Sequence, residues 1–121
     1  MHCIGIDIIE IARLEKAITR RGEAFLRRVY TQSELSLYRK KLPSLAARFA
    51  AKEAVIKALG KSTTPASLRE IEILSDPNGK PLLNLYGKAQ SQAQGLGLDK
   101  FAITLSHSRE YAIALVAGET K

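Results

Sequence analysis

The first 30 residues carry a hydrophobic pattern typical of a strand followed by helices. Residues 3–9 are mostly β-branched and predict a short strand. In residues 10–21 the apolar positions recur at helical spacing, and Gly22 ends the pattern. The apolar residues of 25–29 then indicate another short turn of helix.

The next segment predicts two further helices. Thr31 with Glu34 three residues later has the form of a capping box, which predicts a helix through about Lys40. After Pro43, residues 44–59 predict one long helix that Gly60 ends. Small residues recur at every fourth position of this helix and would let a neighbouring element pack closely: Ala46, Ala50, Ala54 and Ala58.

The second half of the chain predicts mainly strands. Residues 61–67 form a polar loop, 68–74 and 82–86 a hairpin around the turn at 76–79, 88–95 a helix, and 101–105 and 111–117 two more strands. The order of elements predicts an α+β fold, with helices packed on one face of a largely antiparallel sheet. At 121 residues, 45% of them hydrophobic, the chain fits a single domain spanning 1–121.

The composition of the chain indicates where the protein is located. No apolar run approaches the roughly 20 residues that a membrane helix needs, and the first residues lack the features of a secretory signal. We therefore expect a cytoplasmic protein with no membrane partner. The only cysteine, Cys3, cannot form an internal disulfide and is interpreted as a small buried side chain.

The charge is strongly basic. Nineteen Lys and Arg against twelve Asp and Glu give a formal charge of +7, which favours a polyanionic partner. Nucleic acid, an anionic membrane, a phosphate-rich cofactor and an acidic protein all remain possible on charge alone. The cations are concentrated in the first half, at Arg13, Lys16, Arg20, Arg21, Arg27, Arg28, Arg39, Lys40, Lys41 and Arg48.

Asp7 is anomalous because it interrupts a run of glycine and isoleucine in the first strand. A carboxylate there requires a cation, a metal ion or several hydrogen-bond donors. One interpretation is structural: Asp7 caps the following helix or pairs with an arginine. The other is that it binds a metal ion together with a second carboxylate.

Glu53 is the candidate second carboxylate. It lies on the long helix in one stripe with Phe49 and Lys57, four residues before and after it. An ordinary exposed Glu–Lys helix pair is the structural alternative. Because Arg48, Lys52 and Lys57 lie on the same helix, phosphate binding beside a magnesium site is the functional alternative.

Ser106, His107 and Ser108 follow a predicted strand and lie in a turn, where side chains and amides can reach a ligand. A turn histidine with only structural hydrogen bonds is an alternative to a general base. A serine-hydrolase triad is not supported, since neither serine lies in a nucleophile elbow. Walker and dinucleotide-binding fingerprints are missing from the sequence.

Three segments together resemble the holo-acyl-carrier-protein synthase family, the short, trimeric type of 4′-phosphopantetheinyl transferase. They are Gly5-Ile6-Asp7-Ile8-Ile9-Glu10, then Arg48-Phe49-Ala50-Ala51-Lys52-Glu53-Ala54 with Lys57-Ala58-Leu59-Gly60, then Leu105-Ser106-His107-Ser108. The resemblance extends over essentially the whole chain. It implies the fold of that family and transfer of 4′-phosphopantetheine from coenzyme A to a serine of apo acyl carrier protein, releasing 3′,5′-ADP, in fatty acid biosynthesis.

The resemblance also implies residue roles. Asp7 and Glu53 would hold Mg²⁺, Glu53 and Lys57 would be catalytic, and a homotrimer would build its active sites between subunits. Coenzyme A would contact Arg48, Lys57, Gly60, Asn78, Gly79, Lys80, Pro81, Ser106, His107 and Ser108. The acidic carrier would contact Arg13, Arg21, Phe25, Arg28 and Phe49.

One segment departs from the family pattern, because Lys61-Ser62-Thr63-Thr64-Pro65 stands where a glycine-containing loop is usual. Two other functions compete with the transferase. A nucleic-acid-binding module fits the charge, but it leaves Asp7 unexplained and has only 6% aromatic residues for base stacking. For these reasons we expect no nucleic-acid partner. An inactive trimeric scaffold would require loss of a metal ligand, and both Asp7 and Glu53 are present.

Overall fold

The structure, a computed structural model, describes residues 2–60 and 65–120. Over these residues the elements are β1 (His2–Glu10), α1 (Ile11–Arg21), α2 (Glu23–Val29), α3 (Gln32–Tyr38), α4 (Leu42–Leu59), a 3₁₀ turn (Leu68–Glu70), β2 (Ile71–Ser75), β3 (Pro81–Leu85), α5 (Gly87–Gly95), β4 (Leu98–His107) and β5 (Tyr111–Thr120). In this part of the chain no helix combines the length and the apolar character needed to cross a bilayer.

The strands form two antiparallel sheets. The larger sheet has the order β1-β5-β4, and the smaller is the β2–β3 hairpin. The predicted α+β class with antiparallel strands is confirmed; the strands are divided between two sheets instead of forming one. In the larger sheet Asp7 of β1 is opposite Ala114 of β5, which is opposite Leu105 of β4. Asp7 therefore lies about halfway along its strand.

Helix α4 crosses the buried face of the larger sheet and is the centre of the fold. One core cluster packs its second half against β2, β5 and α5, and the other packs its first half against α1, α2 and α3. The predicted close packing at the alanine row is realised, because Ala46, Ala50 and Ala54 are completely buried. Gly5 of β1 lies directly against Ala54 and Ala58.

The opposite face of the larger sheet is apolar and exposed. Alternation along β1 places Ile4, Ile6 and Ile8 on this face, with exposed fractions of 66%, 51% and 59%. Ile113 and Leu115 of β5 are opposite Ile8 and Ile6 in the register and continue the same face. The name exposed sheet face is used below for these five residues.

Several element boundaries differ from the predicted ones, among them the start of β2 and the end of α3. The segment predicted to begin a strand at Leu68 forms a 3₁₀ turn first, because the Glu70 carboxylate accepts hydrogen bonds from the amides of Ser67 and Lys88. Helix α3 ends at Tyr38, short of Lys40. Its capping box between Thr31 and Glu34 is present as predicted.

Candidate active site

Asp7 is paired with a lysine of α4. Strand alternation directs Asp7 toward the helix, where Lys57 Nζ lies 2.8 Å from Asp7 Oδ1 and 3.0 Å from the carbonyl oxygen of Ile6. The Asp7 side chain is only 18% exposed and that of Lys57 is 56% exposed. The alternative prediction that Asp7 caps the following helix or pairs with an arginine was therefore wrong, because its partner is Lys57.

Glu53 lies one helical turn before Lys57 and is half-buried. Burial raises its pKa above the ordinary value, the charge of Asp7 raises the pKa further, and the charge of Lys57 opposes both effects. The ordinary Glu53–Lys57 helix pair is not the interaction that forms, because the ammonium group of Lys57 is bonded to Asp7. The charge of Asp7 still acts on Glu53, so the two carboxylates lie near each other.

A cleft of about 360 Å³ opens beside these carboxylates. Three of the residues predicted to contact the carrier protein, Arg13, Phe25 and Phe49, line it. Its full lining is Asp7, Ile8, Ile9, Arg13, Leu14, Ala17, Phe25, Phe49 and Glu53. The cleft lining thus combines two carboxylates and one arginine with apolar side chains, which are called the cleft wall below.

The two carboxylates fit a hard divalent cation. Within residues 2–60 and 65–120, no group of three or more His, Cys, Asp or Glu side chains converges as a metal site. Asp7 and Glu53 alone would supply two oxygen ligands, and Mg²⁺ commonly binds through one or two carboxylates with the remaining ligands from substrate phosphates and water. Burial and the charge of Asp7 raise the pKa of Glu53, and a bound cation would stabilise the charged form of this carboxylate.

The other cations of α4 do not reach the cleft. Lys52 is completely buried and donates to Glu34, so the expectation that it binds phosphate was wrong. Arg48 is only 6% exposed; its guanidinium donates to the carbonyl of Ile73 and the hydroxyl of Ser75 and lies over the ring of Tyr38. Their bonding within the chain leaves Lys57 as the α4 cation at the site.

The remaining predicted cofactor residues lie at turns or strand ends outside the cleft lining. Gly60 ends α4 with a positive φ of 81°. Residues 78–80 lie in the tight β2–β3 turn and Pro81 begins β3; in the turn, Asp76 Oδ1 accepts hydrogen bonds from the amides of Asn78 and Lys80. Ser106 and His107 still belong to β4, and Ser108 alone of the three lies in the turn, where it exchanges hydrogen bonds with Tyr111.

Two predicted carrier contacts, Arg21 and Arg28, are exposed on α1 and α2 outside the cleft lining. The atypical segment after Gly60 falls mostly on residues 61–64, outside the described residues. Sequence reasoning missed Leu14 and Ala17 in the cleft wall. Their spacing of three on α1 is a helical-face signal that could have identified them.

Comparison with known proteins gives this geometry a context. A sequence profile described as the 4′-phosphopantetheinyl transferase superfamily matches residues 3–116. The chain belongs to this superfamily. A holo-[acyl-carrier-protein] synthase of Dehalococcoides mccartyi is 54% identical over 115 residues, covering 95% of this chain and 96% of that protein.

Two further relatives support the superfamily assignment of this chain over nearly its full length. A holo-[acyl-carrier-protein] synthase of Herpetosiphon aurantiacus is 48% identical, covering 98% of both chains. The crystal structure of the Helicobacter pylori holo-[acyl-carrier-protein] synthase, solved in complex with coenzyme A, is 35% identical with a TM-score of 0.85, covering 96% of this chain and 99% of that one. The resemblance found in the sequence is thereby confirmed.

Proposed function

We propose that this chain is a holo-acyl-carrier-protein synthase, which transfers 4′-phosphopantetheine from coenzyme A to a serine of apo acyl carrier protein and releases 3′,5′-ADP. The observation that carries this proposal is that Asp7 and Glu53 line one cleft and Lys57 is bonded to Asp7, in a chain similar over 95% of its length to a synthase of that name. A crystallised relative holds coenzyme A, which supports the choice of donor.

Asp7 and Glu53 are the proposed ligands of Mg²⁺. When bound, the ion supplies Lewis-acid stabilisation of a phosphate oxygen. Lys57 lies beside Asp7 with its side chain 56% exposed, so it can bind the pyrophosphate and stabilise the negative charge that develops when 3′,5′-ADP leaves. Its bond to Asp7 positions that ammonium group beside the carboxylates.

Glu53 is also the proposed proton acceptor. The carrier serine hydroxyl attacks the β-phosphorus of coenzyme A, the bond from that phosphorus to the bridging oxygen breaks, and the serine proton passes to Glu53 directly or through a water molecule. In the chain without a bound metal ion, burial and the charge of Asp7 raise the pKa of Glu53 and so increase its basicity. The leaving oxygen remains on 3′,5′-ADP.

We infer that the complete coenzyme A site is built between subunits of a homotrimer. The cleft lining contains Asp7 and Glu53, whereas the proposed cofactor contacts lie outside it: Lys57, Gly60, 78–81 and 106–108. The exposed sheet face supplies an apolar surface for association, and three of its isoleucines are more than half exposed in the single chain. Arg48 is not among the proposed contacts, since its guanidinium is bonded within its own chain.

Acyl carrier protein would dock at the mouth of the cleft. Phe25 and Phe49 are apolar contacts in the wall, and Arg13 stands beside them. Arg21 and Arg28 extend the positive surface along α1 and α2 and suit an acidic partner. This arrangement would bring the carrier serine to the carboxylates. Cytoplasmic location and a role in fatty acid biosynthesis stay predictions.

The decisive experiment measures intact carrier mass after incubation with coenzyme A, Mg²⁺ and apo acyl carrier protein. We expect the mass of one phosphopantetheine to be added, and both Asp7→Ala and omission of divalent metal to abolish the gain. A gain that survives Asp7→Ala would retain the transferase and refute the metal site. No gain with several apo carriers, combined with salt-sensitive binding of nucleic acid, would favour the binding-module alternative.

A further inference from the structure

Within residues 2–60 and 65–120, one pair of fully buried charges lies outside the cleft lining. Lys52 and Glu34 are both 0% exposed, and Lys52 Nζ lies 2.7 Å from Glu34 Oε1. Lys52 also donates to the carbonyl oxygens of Leu68, at 3.1 Å, and Ile71. All three protons of the ammonium group are therefore used inside the protein, and none is available for a substrate.

Glu34 is bonded equally fully. Its Oε1 accepts from Lys52 and from the amide of Thr31 in the capping box, and its Oε2 accepts from the amide of Ile73 at 2.9 Å. One carboxylate thus joins the first turn of α3, the side of α4 and the edge of β2.

These bonds seal an open strand edge. On β2 the backbone groups of Ile71 and Ile73 face away from β3 and have no neighbouring strand in the described sheet. Lys52 bonds the Ile71 carbonyl, Arg48 bonds the Ile73 carbonyl at 2.9 Å, and Glu34 bonds the Ile73 amide. Charged side chains from α3 and α4 take the place of a third strand.

The spacing of helix and strand makes this attachment specific. Arg48 and Lys52 are four residues apart on α4, a rise of about 6 Å. Ile73 and Ile71 are two residues apart on β2, a distance of about 6.6 Å. The spacing of the two cations along α4 therefore matches the spacing of the two carbonyl groups along β2. Both cations can meet a carbonyl at only one rotation of α4 about its axis and one position along it.

The apolar contacts of α4 fix that rotation less well. Its inner surface consists largely of alanine, with Ala50, Ala51 and Ala54 completely buried. Alanine side chains are short and nearly featureless, and they interlock poorly with neighbours. Directional hydrogen bonds from Arg48 and Lys52 fix the rotation of α4 more precisely than these apolar contacts do.

Glu53 and Lys57 depend on the same rotation. Glu53 follows Lys52 by one residue, or about 100° around the helix, so the bonding of Lys52 to β2 sets the direction of Glu53. We propose that Lys52 and Glu34 are positioning residues, which hold α4 against the edge of β2 and thereby direct Glu53 into the cleft and Lys57 toward Asp7. The proposal rests on the proposed function of those two residues. Buried ion pairs stabilise proteins weakly, which favours a role in specifying geometry.

The test compares three variants with the native chain. Lys52→Met removes the ammonium group but leaves Glu34 buried and unpaired, so the variant can fail to fold. The double variant Lys52→Met/Glu34→Gln removes both charges, and glutamine can retain the capping-box bond. Val55→Ala is the matched control, because it removes buried volume from α4 but no hydrogen bond to the edge of β2.

We expect the folded double variant to lose about tenfold or more in kcat with little change in KM for coenzyme A. Val55→Ala, at an equal or larger loss of Tm, should keep kcat within about twofold. A double variant that folds and keeps native kcat would overturn the proposal, as would an equal loss of kcat in Val55→Ala.

A crystal structure of the double variant provides a measurement that does not depend on activity. The proposal expects the Lys57 Nζ to Asp7 Oδ1 separation to exceed its 2.8 Å in the native chain. An unchanged separation would overturn the positioning role. Failure of the native chain to modify any carrier would instead count against the proposed function, and the crystal structure would still decide whether α4 is held by this pair.

Discussion

Gly5 of β1 lies so close to Ala54 of α4 that a Cβ atom at position 5 would stand 1.8 Å from the Ala54 carbonyl oxygen. The atom it would strike belongs to the helix backbone and cannot rotate away. Because Asp7 is on the same strand face two residues later, this contact also sets how near Asp7 comes to Lys57.

Gly5→Ala should therefore be strongly destabilising. Separating a packed strand and helix costs about 1–3 kcal/mol or more, which at about 4 °C per kcal/mol lowers Tm by roughly 4–12 °C. Thermal unfolding followed by circular dichroism measures the change. Gly95→Ala, at the end of α5 with open space around its Cβ position, is the control and should be nearly neutral. Equal Tm values for the two variants would contradict the prediction.

Glu53→Gln should separate stability from catalysis. The folded pKa of Glu53 is above its ordinary value of 4.5, so ionisation disfavours the folded state. The resulting loss of stability develops as the pH rises through the interval above 4.5 and persists at neutral pH. Removing the charge should raise Tm relative to the native chain more at pH 7 than at pH 4 when no metal is present.

The same variant should lose about 10²–10⁴-fold in kcat, the contribution typical of a general base. Rates at saturating magnesium and coenzyme A measure this loss. Near-native turnover would exclude Glu53 as the proton acceptor. A Tm difference that is equal at both pH values would instead contradict the assigned electrostatic environment.

Magnesium should stabilise the folded chain in proportion to its occupancy. A ligand at 100 times its Kd contributes about 2.7 kcal/mol. We expect Tm to rise with Mg²⁺ concentration in the native chain and to rise much less in Asp7→Asn. The Asp76→Asn variant, whose carboxylate lies in the β2–β3 turn, is the control and should keep the magnesium response. A response retained in Asp7→Asn would place the ion elsewhere.

Ile6→Lys should prevent association through the exposed sheet face. A lysine in the middle of an apolar interface would bury an unpaired charge. Light scattering after size-exclusion chromatography should give three times the mass of one chain for the native protein and a smaller mass for the variant. Leu37→Lys replaces an equally exposed leucine, 54% accessible, on α3 and should leave the mass unchanged. A native protein of single-chain mass would refute the trimer.

Arg28→Ala should weaken carrier docking without impairing the chemistry. We expect KM for the carrier to rise about threefold to tenfold, with kcat nearly unchanged and a weaker dependence on salt. Lys88→Ala on α5 removes an exposed cation away from α1 and α2 and is the control. If both variants behave alike, the effect belongs to net charge and Arg28 has no specific contact.

Much of the fold could be predicted because its local signals are strong. The capping box at Thr31 and the alanine repeat of α4 each depend on neighbouring residues only, and both predictions were confirmed. Asp7 could be identified as anomalous from its strand, but its lysine partner is 50 residues away in sequence. Pairing over that distance depends on how α4 lies across β1, which no local pattern encodes.

The burial of Lys52 and Glu34 could not be predicted for a related reason. Both residue types usually remain exposed, so sequence patterns place them on the surface. Their burial depends on the open edge of β2, which exists because the strands divide into two sheets. The sequence indicates a hairpin at this point, and it carries no signal for which edge lacks a partner.

Strand β1 has a consequence for how the protein can evolve. Its odd-numbered positions face α4 and carry Asp7, while the even-numbered positions carry the exposed isoleucines. Inserting or deleting one residue at the start of this strand would exchange the two sets, exposing the carboxylate on the apolar side and directing isoleucine at Lys57. Both properties of the strand would be lost in one event. Substitutions can therefore accumulate independently on either side, whereas a change in strand length must preserve parity.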